Sequence, residues 1–129
     1  NPDWENLDWY TRTSIAFWHV FYDYKLSLNI KPTILKRAKL YSWKEDIRKI
    51  VEIDNREIDS IREIYTFLKK NESKQSAFWL KNIQSMNNLR EHFERIEIEI
   101  KTMRYGKYNI DMPFPKNNNN DELAYKVLD

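Results

Sequence analysis

The chain contains no cysteine, which excludes a disulfide framework, thiolate metal sites and thiol nucleophiles, and suits a cytoplasmic protein. Glycine occurs once and proline four times, too few turn-formers for the many reversals of an all-β fold. A single glycine also rules out a glycine-rich phosphate loop, so no nucleotide-hydrolysing site is expected. No apolar run approaches the roughly 20 residues that span a bilayer, and no signal-peptide pattern is present. The chain opens at Asn1 rather than Met, as a piece of a longer protein would.

What is present suits one helical domain. In 129 residues, aromatics make up 15% and charged residues 33%, enough for one packed core and a solvated surface. Net charge is only +2, but it is unevenly spread. Residues 31–50 hold seven cations against two carboxylates, whereas residues 1–30 hold two cations against four. A basic segment in a near-neutral protein points to a directed anionic contact.

Hydrophobic spacing predicts an antiparallel all-α domain of about four main helices, with a short helix carrying Phe78-Trp79 and a flexible C-terminal tail. Residues 1–12 read as a leading segment, 13–107 as the helical domain and 108–129 as the tail. Thr13 or Ser14 can cap the first helix, whose face carries Ile15, Phe17, Trp18, Phe21, Tyr24 and Leu28. Pro32 or Thr33 starts the second, with Ile34, Ala38 and Tyr41 as one stripe and Trp43, Ile47, Ile50 and Val51 continuing it. Ile58, Ile61, Tyr65 and Leu68 give the third helix its buried face. Ser85 caps the last, where Met86, Leu89, Phe93, Ile96, Ile100 and Met103 form a heptad-like seam. Gly106 is placed to close that helix with a left-handed cap, and Leu123 to Leu128 form a possible short helix in the tail.

Catalytic and metal readings find little support. The two histidines, His19 and His92, lie between aromatic neighbours with no second histidine at metal-ligand spacing. Glu91, Glu94, Glu97 and Glu99 alternate with Arg95 and Lys101 at i,i+4, the pattern of a solvated helix face. No catalytic residue, metal ligand or cofactor is therefore expected. The basic stretch is a candidate for phosphate contact through Lys36, Arg37, Lys39 and Lys44, with Lys81 and Arg90 extending it. Tyr41 and Trp43 are candidates for base stacking, with core packing as the competing reading.

A set of short motifs recurs in order over most of the folded part: A-F-W at Ala16 to Trp18, I-K-P-T at Ile30 to Thr33, then Ala38 and Trp43. D-I-R at Asp46 to Arg48 and I-R-E-I at Ile61 to Ile64 follow. F-W-x-x-N-I-x-S-x-x-x-L-R-x-x-F at Phe78 to Phe93 closes the series. This order resembles the C-terminal helical domain of replication initiation proteins, of the primosomal or replisome-organiser kind, from phages and mobile elements of low-GC bacteria. The resemblance implies a role in initiating replication, by binding single- or double-stranded DNA or by contacting the replicative helicase or its loader, without catalysis. No winged helix is present in this chain, so origin-sequence recognition is expected to lie outside it or to be absent. The alternative is a protein adaptor or homo-oligomerisation domain that uses the Met86 to Met103 seam or Met112 to Pro115.

Overall fold

Asp8 starts the first helix, five residues ahead of the expected Thr13. Its Oδ1 accepts from the Thr11 amide at 2.7 Å, satisfying one of the free N–H groups of the first turn. Ser14 lies within the helix, buried, with its hydroxyl donating to the Tyr10 carbonyl. Helix formation is extended backwards because Trp9 and Tyr10 pack against the core, and that burial recruits one more turn.

The structure, a computed structural model, describes residues 4–106. A 3₁₀ turn at Trp4–Asn6 precedes α1 (Trp9–Ser27), α2 (Arg37–Glu52), α3 (Ile58–Lys70), α4 (Lys74–Asn82) and α5 (Met86–Lys101); a π-helical turn at Thr102–Gly106 follows. The described residues contain no strand. The four longer helices and the short Phe78-Trp79 helix match the architecture expected from hydrophobic spacing. Tail residues 108–129 lie outside the described part. Gly106 does not supply the expected left-handed cap: α5 ends at Thr102 in a right-handed conformation, a π-helical turn continues to Gly106, and no described glycine has positive φ.

With one glycine available, the turns use asparagine. Asn29, Asn55 and Asn71 all have positive φ, as does Gln84. Asparagine tolerates the left-handed region better than other residues with a Cβ, because its short amide can bond locally. Asn71 is the left-handed C-cap of α3. Ser73 and Ser76 then form a reciprocal capping box at α4, and Ser85 caps α5 by accepting from the Asn88 amide.

α1 and α2 run antiparallel. Phe21, late in α1, meets Trp43 edge-on at 5.9 Å, while Asp8 at the start of α1 pairs with Lys44 at 3.4 Å. α2 begins at Arg37, four residues later than Thr33. Lys36 precedes it in an extended conformation with no side-chain cap, so docking on α1 sets the start instead of a local signal. The predicted stripe Ile34, Ala38 and Tyr41 is consequently exposed, and Ile34 keeps 84% of its surface. α3 reverses direction again, with Tyr65 edge-on to Phe17.

α5 carries the largest share of the core. Met86, Leu89, Phe93, Ile96 and Ile100 are all buried, so the heptad seam faces the domain's own interior and is not a free adaptor surface. Ile96→Ala is expected to cost about 2–5 kcal/mol, since it leaves a cavity at a site with no solvent access. Urea unfolding followed by circular dichroism checks this.

Candidate nucleic-acid interface

The expected cations separate into two groups according to their partners. Lys44 is tied to Asp8 at 3.4 Å. Arg90 is tied more strongly: its Nε and Nη2 donate to the two Asp54 oxygens at 2.7 and 2.9 Å. This fork geometry is the strongest form of a guanidinium–carboxylate contact, and it fastens α5 to the turn between α2 and α3. The Arg90 hydrogen bonds hold the Asp54 carboxyl below its ordinary value. Nearby Asp46 moves the other way: burial raises its pKa although Lys49 and Arg90 oppose the shift. Lys44 and Arg90 therefore stabilise the fold where they stand.

Lys36, Arg37 and Lys39 behave differently. They are exposed at the start of α2, and among the described residues none meets a carboxylate within the 4.0 Å ion-pair limit. Lys31, in the extended connection before α2, shares both properties. No Asp or Glu occurs between Asp23 and Glu45, so the whole α1–α2 connection is free of negative side chains. Lys81 is also exposed, but on α4, which packs on α3; α2 packs on α1 and α5.

The two stacking candidates also part company. Tyr41 is 65% exposed, whereas Trp43 is only 5% exposed and packs on Phe21. Trp43 is a core residue, and its stacking role is withdrawn. Trp18, which the spacing placed on the buried face of α1, is half-buried and packs against the edge of the core. Trp18 and Tyr22, one turn apart on α1, have ring centroids 4.9 Å apart, and the exposed His19 lies 5.2 Å from Trp18. These rings form one side of an open groove of about 760 Å³, whose other side is the extended segment around Ile30 to Ile34. No carboxylate among the described residues lines it. The signal in the sequence was the acid-free run together with Pro32, which keeps Lys31 out of a helical conformation.

Among the described residues no cluster of His, Asp or Glu has the geometry to hold a metal ion. His92 is half-buried with its ring 5.7 Å from Trp79. No helix among the described residues is long and apolar enough to cross a membrane.

An all-helical domain with a cationic, carboxylate-free connection is the class that fold and surface define. Residues 8–103 match the family described as phage replication protein O, C-terminal domain, and the chain belongs to that family. Neither a curated protein nor a solved structure matches it. The protein is thus a phage-type DNA replication domain, as the order of its motifs implied.

Because the folded-state pKa of Asp54 is depressed, its contribution to stability is present above the ordinary value of 3.8 and is lost as pH falls through the lower folded value. Asp54→Asn is therefore expected to melt below the unsubstituted protein at pH 7. The gap should close towards about pH 2, where both carry a neutral side chain. Thermal melts at the two pH values test this, and a gap independent of pH would reject the ionic contribution.

Proposed function

We propose that this domain is a non-catalytic module of replication initiation that binds DNA through the cations at the start of α2. The observation that supports this reading is the group Lys31, Lys36, Arg37 and Lys39, exposed and without carboxylate partners among the described residues. Unpaired surface cations lose no internal ion pair when they meet a phosphate, and the counterions released from DNA supply the driving force. Lys44 and Arg90 would first have to leave Asp8 and Asp54, so the contact concentrates on the other four. Such contacts give affinity and orientation without reading sequence.

A second reading is contact with the replicative helicase or its loader. Leu26, Leu28 and Ile30 at the same connection are each about half exposed, and clustered apolar exposure marks protein-binding surfaces. Under this reading Leu28→Ser weakens capture of purified helicase or loader while DNA affinity stays unchanged.

Fluorescence anisotropy with labelled duplex and single-stranded DNA at several salt concentrations tests the DNA reading. Four phosphate contacts predict a slope of log affinity on log salt of about −3 to −4. The K36A/R37A/K39A variant should retain a slope of only about −1. Salt-insensitive binding, or an unchanged slope in the variant, would overturn the assignment.

A further inference from the structure

We infer that the groove between α1 and the Ile30 to Ile34 segment is a single-stranded DNA site, in which unpaired bases stack on Trp18 and Tyr22 while the backbone follows the cations. This inference rests on the DNA-binding reading and adds the form of the strand and the surface that recognises it.

The ring wall comes first. Trp18 and Tyr22 are half-buried on the groove flank of α1, Trp18 with one side against the core, while Phe17, Val20 and Phe21 fill the inner side and are buried. α1 is thereby fixed by the core, and these rings are held on a rigid support. Two tilted rings 4.9 Å apart, with His19 beside them, offer an aromatic platform open to solvent on the groove side. Single-strand binders combine such platforms with a positive track, and each stacked base contributes about 1–3 kcal/mol.

The opposite wall complements this platform. Ile30, Pro32 and Ile34 present apolar surface, and Ile34 is too exposed to have a packing role. A base held between Trp18 and these side chains would be covered on both faces. Beyond Ile34 the track becomes cationic. A second concavity of about 360 Å³ shares Thr33 and Ile34 with the groove and is lined by Lys36 and Lys39. Lys31 lines the groove itself. Rings and cations therefore lie in two neighbouring depressions that share Thr33 and Ile34, and no carboxylate among the described residues lines either.

Duplex DNA can use only half of this arrangement. Its phosphates can meet the lysines, but its bases are stacked on one another and present no free face to Trp18. The combined site thus favours a strand that has already been opened. A protein helix would find apolar contacts here too. Three adjacent rings and four cations without a carboxylate partner among the described residues match alternating bases and phosphates better than they match an apolar helix face.

The decisive comparison uses the full chain and three labelled probes: a thymidine oligomer of about 15 nucleotides, an abasic deoxyribose-phosphate oligomer of equal length, and a duplex. Thymidine should bind about tenfold or more tighter than the abasic strand at the same salt. Trp18→Ala and Tyr22→Ala should remove that difference while leaving abasic and duplex affinities unchanged; Trp18→Phe should keep most of it. Ile34→Ala, at a site where loss of fold is not expected, should reduce it in part. Equal affinity for thymidine and abasic strands, with the usual salt slope, would overturn the groove and leave the cation reading standing, making a protein the groove's occupant. No binding of any probe would overturn both.

Discussion

Two contacts between α1 and α2 fix the register on which the exposed surface depends. Trp43 lies edge-on to Phe21, and Lys44 reaches Asp8 at the far end of α1. The first removes a large aromatic surface from water; the second is a part-exposed ion pair of small worth. Burial of Trp43 therefore holds the register, and the ion pair refines it. Once α2 is seated there, its helix begins at Arg37, and the preceding residues from Ile30 must bridge back from the end of α1 in an extended form. That bridge is one wall of the groove and carries Lys31, with Lys36 at its end. Moving α2 by one turn would place different side chains in every one of these positions.

Cations on this domain differ by company more than by number. Arg90 holds Asp54 in a fork, and Lys101 and Arg104 both reach Glu63; these join segments distant in sequence. Arg56 stands over the Phe93 ring at 5.1 Å, close to Glu97. Removing such a cation leaves a carboxylate or a ring without its partner, so its cost is paid in folding. Lys36, Arg37 and Lys39 have no such obligation among the described residues. A ligand anion competes with water alone at these three positions, which is why a modest cluster can act as a binding surface in a near-neutral protein.

Much of the fold was legible from residue spacing, and the failures share one cause. Ile61 and Leu68 on α3 and the seam from Met86 to Ile100 are buried as their period implied, whereas Tyr65 is half-buried and Ile58, in the first turn of α3, is exposed. Ser85 caps as its position suggested, because a serine before an apolar helical run has few other uses. Local spacing could not tell which of two apolar faces on one helix meets the core. On α1 both Phe17 and Trp18 fit a helical stripe, yet Phe17 is buried and Trp18 only half so. At Ile34 the pattern was right for a helix that had not yet begun. Trp43 stood open between the apolar stripe of α2 and a stacking role; the ring that decides for the core, Phe21, is distant in sequence. Each error turned on tertiary docking, which propensity and period do not encode.

Charge placement completes the functional picture. Glu91 and Glu94 are exposed on α5, and a polyanion approaching that surface would be repelled. The start of α2, with no acid between Asp23 and Glu45, attracts it. At physiological ionic strength these fields fade within about 8 Å, so they orient the domain at contact and do little at a distance. A family member working at an opening replication origin meets both paired and unpaired DNA. Cations alone would hold either form with similar strength, because phosphates are common to both. Discrimination needs a feature that only an opened strand can satisfy, and the exposed faces of unpaired bases are that feature. In the proposed site, Trp18 and Tyr22, anchored through the buried side of α1, would offer such a surface beside Lys31, and the neighbouring cations would hold the backbone.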